Sequence, residues 1–261
     1  MRALLSGAGN MGRAIRATLG ERGDEVVAML GRADRPDPAT LAPVDVAFDF
    51  SHGEAFLHNL RYLAATGARN VVVGTTGWAG DPATNAAVRD TIASSGLRVV
   101  VGPTFSLGVI LFTEVAVEAA KRFGRFPEFD PFVVEQHRRS KPDRPSGTAA
   151  AIADRMLPYL SSKRQARLPE GQGAPDADTL EVVTIRAGAH PGMHIVGFDA
   201  PGESIELRVT ARDRSAYVAG AVLAADRLLA DPDRPTGLIP FADLVREILA
   251  GPSPTDGDPQ T

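Results

Sequence analysis

The sequence predicts an α/β chain in two parts, and three patterns carry that reading. The short apolar run Ala3 to Ser6 leads into Gly7-Ala8-Gly9-Asn10-Met11-Gly12 and then into a helical pattern that continues through Leu19. Short apolar strands and helical stretches then alternate as far as Ser106, the order that a doubly wound parallel sheet requires. Beyond Ser106 the alternation gives way to strand-like runs set close together, Glu181 to Arg186, Met193 to Asp199 and Glu203 to Ala211. The first two patterns define an N-terminal Rossmann dinucleotide-binding domain, and the third an α+β domain on an open mixed sheet.

In the N-terminal half, Gly7, Gly9 and Gly12 match G-x-G-x-x-G between a strand and a helix, the context that gives the motif meaning. The first glycine permits the turn, the second lets a pyrophosphate approach the backbone, and the third lets helix and strand pack closely. Strands follow at Glu25 to Leu30, Val44 to Phe50, Asn70 to Val73 and Leu97 to Val101, with a helix from Glu54 to Thr66. The second strand ends in Leu30-Gly31-Arg32, where a carboxylate for the ribose hydroxyls is usual; Arg32 suits a 2′-phosphate, so NADPH is preferred over NADH, with NADH possible. The turns Gly74-Thr75-Thr76-Gly77 and Gly102-Pro103-Thr104-Phe105-Ser106 follow strands and face the same crevice. Asp49, ending its strand, stands where it can reach a ribose or a solvated turn, and Trp78 reads as a packing residue.

The second half begins with a helix from Val109 to Phe123 and a strand ending at Glu135. A basic loop then carries His137, Arg138, Arg139, Lys141 and Arg144 up to Pro145-Ser146-Gly147-Thr148-Ala149, where a helix begins that runs to about Leu160. Gly147 and Thr148 offer backbone N–H groups at that helix start, capped by Ser146, and the helix dipole there favours a carboxylate or phosphate. Lys141 adds a proton source and His137 a titratable group, so the loop is a candidate site for a small anion. Ser161 to Asp178, polar and rich in Gly and Pro, reads as an exposed connection. The helix Ala216 to Leu229 and the tail Phe241 to Leu249 return to the first half, giving boundaries of 1–106 with 216–261, and 107–215. Pro252 to Thr261 reads as disordered.

Composition narrows the partners. A net charge of −4 argues against nucleic acid, whose phosphates call for a basic face. No apolar run is long enough to span a bilayer, which predicts no membrane association and a cytoplasmic protein. Without cysteine there is no disulfide or thiolate chemistry. His52, His58, His190 and His194 lack ligand spacing, so no metal is expected, and His194 reads first as a sheet residue and second as a neighbour of the substrate.

Taken in order, the glycine turn 7–12, Val73-Gly74-Thr75-Thr76-Gly77, Thr104-Phe105-Ser106-Leu107-Gly108, Glu135 to Ala149, Arg186-Ala187-Gly188 with Gly192-Met193-His194, and Gly220-Ala221 with Ala224-Ala225 resemble the 4-hydroxy-tetrahydrodipicolinate reductases, also called dihydrodipicolinate reductases. The resemblance covers nearly the whole chain, and Pro145 to Ala149 is its most specific part. It implies NAD(P)H-dependent reduction of a cyclic dicarboxylate imine in the diaminopimelate route to lysine, by a homotetramer assembled through the second domain's sheet. It places His137 as catalytic acid or base and Lys141 as proton donor. Substrate contacts fall on Arg138, Ser146, Gly147 and Thr148. Cofactor contacts fall on Gly7, Ala8, Gly9, Asn10, Met11, Gly74, Thr75, Thr76, Gly102, Pro103, Thr104 and Phe105, besides Arg32. The chain departs from the family pattern at Arg138, where a second histidine is usual, at Thr104 and at Thr210. Those departures keep open a related imine reductase or amino-acid dehydrogenase acting on another substrate, and a non-catalytic NADP-binding paralogue.

Overall fold

The computed structural model describes residues 1–169 and 173–251, so the stretch expected to be disordered, 252–261, lies outside the described residues. The chain divides into two compact units: Met1–Ser106 with the chain from Arg214 onward, and Leu107–Asp213 between them.

The first unit contains β1 (Arg2–Ser6), α1 (Asn10–Glu21), β2 (Glu25–Leu30), β3 (Val46–Asp49), α2 (Phe56–Ala65), β4 (Asn70–Val73), α3 (Pro82–Ser95) and β5 (Arg98–Val101). The second contains α4 (Leu107–Phe123), β6 (Asp130–His137), α5 (Gly147–Met156), β7 (Gln165–Arg167), β8 (Thr179–Arg186), β9 (Met193–Ala200) and β10 (Glu203–Thr210). The chain then completes the first unit with α6 (Ser215–Ala230), β11 (Gly237–Pro240) and α7 (Phe241–Ala250).

The first sheet runs β11-β5-β4-β3-β1-β2, every neighbouring pair parallel. Its central strands are continuous apolar runs, Val71-Val72-Val73 and Val99-Val100 among them, fully buried because helices cover both faces of a parallel sheet. Two glycines hold α1 against it. Gly7 adopts φ +110°, and a Cβ on Gly12 would lie 1.9 Å from the Gly7 carbonyl oxygen, so only hydrogen fits there. Trp78 packs on Phe56 at 4.9 Å between ring centroids, with its indole N–H donating to the Thr75 carbonyl.

Two elements of this unit go beyond the sequence reading. Helix α3 starts at Asp81, whose carboxylate accepts from the Thr84 N–H at 2.8 Å, has Pro82 in its first turn, and ends at Gly96 in the left-handed conformation. Strand β11 adds a sixth strand beside β5.

The second sheet runs β10-β9-β6-β8-β7 and is mixed: β6 is parallel to β8 and antiparallel to β9. One face, with Val133, Val182, Val196 and Phe198, is packed with residues of α4 and α5, including Phe112, Ala116, Ile152 and Met156. The pleat places Phe132, Val134, Val183, Ile185 and Ile195 on the opposite face, partly exposed. Strand β7 lies inside the segment expected as a bare connection and pairs with β8. A three-residue strand with half-exposed side chains carries too little alternation to show in sequence.

Candidate functional site

In the first unit a cleft of about 590 Å³ opens beside the ends of β1, β2 and β3, with Gly7, Ala8, Gly9, Arg32, Arg35 and Asn59 among its lining residues. No side chain caps the start of α1, and nothing lies within 4 Å of where a Cβ on Gly9 would stand, so bare N–H groups face open space. The Arg35 Nε is buried without a partner. An uncapped helix start, a bare glycine backbone and an orphaned guanidinium donor together fit the phosphates of a dinucleotide.

Of the cofactor residues expected from sequence, Gly7, Ala8, Gly9 and Arg32 share this lining. Asn10 and Met11 form the first turn of α1, where the Asn10 side-chain oxygen accepts from Arg13 at 2.8 Å. The turns Gly74 to Thr76 and Gly102 to Phe105 follow β4 and β5 at the same sheet edge but outside this lining. Two of their side chains are internal. Thr75 is buried and donates its hydroxyl to Asp49, and Phe105 is stacked between Phe50 and Phe241. Pro103 and Thr76 are exposed, and the Thr104 hydroxyl accepts from the Ser106 N–H at 3.2 Å.

Asp49 faces neither a ribose nor solvent. Its carboxylate is fully buried and accepts from the Asn59 amide at 2.9 Å, the Ser51 hydroxyl at 2.8 Å and the Thr75 hydroxyl, tying the turns after β3 and β4 to α2. A buried carboxylate is thus met by hydrogen-bond donors from the neighbouring turns and α2.

In the second unit, β6 carries Glu135 and His137 two residues apart and therefore on one face. Register does the rest: Arg186 on β8 lies opposite His137, and His194 on β9 lies opposite Glu135. Glu135, fully buried, accepts from Arg186 Nη2 at 2.7 Å and from the Ser146 N–H at 2.8 Å through Oε1. Its Oε2 lies 2.9 Å from His137 Nδ1, without an aligned hydrogen bond at either atom. Burial acts to raise the Glu135 pKa, but His137, Ser146 and Arg186 outweigh it and hold the carboxyl well below its usual range. His194, 3.4 Å from the Ser146 hydroxyl, is pushed down to about 4 by burial and then by the neighbouring His137. It is therefore neutral near pH 7.

The expectation from spacing alone missed this cluster. Glu135, His137 and His194 bring three potential ligand atoms within 4.8 Å, and of these only Glu135 and His137 are close in the sequence. Arg186 already supplies the positive charge that a cation would bring to Glu135.

Ser146 caps α5, its hydroxyl accepting from the Ala149 N–H at 3.2 Å, which leaves the Gly147 and Thr148 N–H groups at the helix start. Lys141 Nζ sits 2.9 Å from Asp143 Oδ1. Burial acts to raise the Asp143 pKa, while the Lys141 ammonium and backbone N–H groups, Gly147 among them, bring it below the ordinary value. An internal carboxylate thus engages the same donors that suit a carboxylate ligand. Arg138 is exposed, its Nε donating to the Ser140 hydroxyl at 3.2 Å. Glu135, Arg186 and Asp143 were assigned no role from sequence, where His194 reads as a sheet residue or a neighbour of the substrate. The i, i+2 relation of Glu135 to His137 was the one readable signal, since strand register has no local signature.

A parallel sheet with a glycine cleft, interrupted by a unit built on a mixed sheet, is the plan of a two-part Rossmann-type protein. Residues 1–105 match the family model for the N-terminus of dihydrodipicolinate reductase and residues 108–244 the model for its C-terminus. The chain belongs to the dihydrodipicolinate reductase family, whose members are NAD(P)H-dependent oxidoreductases. The 4-hydroxy-tetrahydrodipicolinate reductase of Nocardia farcinica is 30% identical over 250 residues, covering 92% of this chain and 98% of that protein. The enzyme of the same name from Campylobacter curvus is 35% identical over 188 residues, covering 70% and 71%. The dipicolinate-bound dihydrodipicolinate reductase of Paenisporosarcina sp. TG-14 shares the fold at a TM-score of 0.69 and 20% identity, covering 94% of this chain and 99% of that one. Among the described residues no helix is long and apolar enough to cross a membrane.

Proposed function

We propose that this chain reduces 4-hydroxy-tetrahydrodipicolinate to tetrahydrodipicolinate in the diaminopimelate route to lysine, with NADPH preferred and NADH possible. The observation that carries the reading is the match of both halves of the chain to one reductase family. The bound nicotinamide supplies the hydride, the glycine turn 7–12 holds the nucleotide, and Arg32 adds positive charge beside it.

One substrate carboxylate is taken by the Gly147 and Thr148 N–H groups, kept in position by the Ser146 cap, with Lys141 neutralising it. For this the Asp143 carboxylate must leave Lys141. That pair is partly exposed, and such pairs contribute only about 0–1 kcal/mol, so a ligand carboxylate displaces it readily. Arg138, where the family pattern has a second histidine, reaches the other carboxylate with a fork that binds but does not titrate. Lys141 or His137 delivers the proton, and Glu135 holds the His137 ring. We further propose a cytoplasmic homotetramer, the open apolar face of the second sheet supplying its contact.

The test is loss of reduced-nicotinamide absorbance with enzymatically generated substrate. Lys141→Ala is expected to lower kcat by about 100-fold or more while the unfolding curve is unchanged. Unchanged turnover would remove Lys141 from the chemistry. The exposed Arg138 favours one second reading, a related imine as substrate. Activity that survives removal of either carboxylate from the substrate would select it.

A further inference from the structure

Arg32 is the cation that the sequence offers for a 2′-phosphate, yet it is exposed. Three residues on, Arg35 also lines the cleft, and its guanidinium is held from several sides. Nη1 donates to the Gly31 carbonyl at 3.1 Å and to the Asp34 carbonyl; Nη2 donates to the Asn59 side-chain oxygen. The Tyr62 ring lies under it, 5.5 Å from its centre. Asn59 is itself fixed, its amide donating to the buried Asp49 carboxylate. A chain of contacts therefore runs from a fully buried carboxylate through Asn59 to Arg35. The Asp34 carboxylate is engaged by the Gly31 N–H at 2.8 Å.

After all these contacts the Arg35 Nε is still buried without an acceptor. A buried donor on a guanidinium is costly unless something meets it, and Arg35 is among the residues that line the cleft. The occupant must be an acceptor, and a doubly charged oxyanion suits a pre-positioned fork best.

Building on the NADPH reading, we propose that Arg35, rather than Arg32, is the residue that holds the 2′-phosphate of the cofactor. Arg32 adds diffuse positive charge at the mouth. Arg35 supplies directed hydrogen bonds, its side-chain entropy already lost to Asn59 and Tyr62.

The experiment is calorimetric binding of 2′,5′-ADP and 5′-AMP to the full chain, two probes that differ in the 2′-phosphate alone. The wild type is expected to bind 2′,5′-ADP more tightly. Arg35→Ala should weaken 2′,5′-ADP at least about tenfold and leave 5′-AMP within about twofold, while Arg32→Ala costs 2′,5′-ADP less than about threefold. Asn59→Ala, which frees the guanidinium, should fall between. If Arg35→Ala does not fold, Arg35→Lys carries the test, because it keeps the charge and loses the fork; full retention of the preference in that variant overturns the proposal. So does a loss that follows Arg32, or an equal loss of both probes in Arg35→Ala. Equal wild-type affinities would overturn the 2′-phosphate preference itself. None of these outcomes involves substrate, so the reductase reading fails only in the turnover assay.

Discussion

At the scale of single residues, Glu135 has the most to hold. Its side chain and that of Arg186 are both essentially without exposure, and breaking such a pair on one side leaves an uncompensated buried charge. Glu135→Gln is expected to cost about 3 kcal/mol in chemical denaturation, and adding Arg186→Met should return part of the loss. His194 makes a separate prediction. Its folded pKa of about 4 lies below the ordinary 6.5, so between those values the unfolded chain takes up a proton that the native protein refuses. Stability is then full above pH 6.5 and falls as pH drops toward 4, by an amount on the order of 3 kcal/mol. His194→Gln should flatten the denaturation midpoint over that window; an unchanged slope would mean that His194 does not carry it. Below that window the depressed Glu135 pKa takes over, its contribution being lost as the pH falls further under the usual carboxylate range.

Helices and strands show how small residues decide what packs. A Cβ on Gly220 in α6 would fall 1.7 Å from the Phe105 carbonyl oxygen, and the fully buried Ala221, Ala224 and Ala225 share that helix. Gly220→Ala should therefore cost about 3 kcal/mol, visible as a lowered melting temperature, even though alanine is the better helix former. Much at this scale was readable. The apolar strands, the glycine turn and the Ser146 cap each have a local cause that the sequence displays. Helix α3 was equally displayed, through Asp81-Pro82 and Gly96, but its mixed polar face gave no periodic signal to call attention to those caps. Strand β11 is four residues that begin with a glycine and end with a proline, and only its pairing with β5 makes it a strand. The cluster around Glu135 depends on which residues of β8 and β9 stand opposite β6. Tertiary pairing sets that, so the sequence showed His137 and Lys141 while their buried neighbours stayed hidden.

For the whole molecule, the partly exposed face bearing Phe132, Val134, Val183, Ile185 and Ile195 predicts self-association. Light scattering on the eluted protein is expected to give four chains, and Ile185→Glu should reduce that mass while leaving nucleotide binding in place. A monomeric wild type would rule the tetramer out. The return of the chain to β11 matters for synthesis as well as for architecture. The strand that closes β5 is made only after the second unit and α6. At about 5–20 residues per second, a ribosome leaves the open edge of β5 waiting for roughly 7 to 28 seconds. A nascent chain stalled before Gly237 exposes a valine-rich parallel edge, a template for mispairing. Premature termination products should accordingly be removed by chaperones and proteases, so a cell gains no partial nucleotide binder from a broken message.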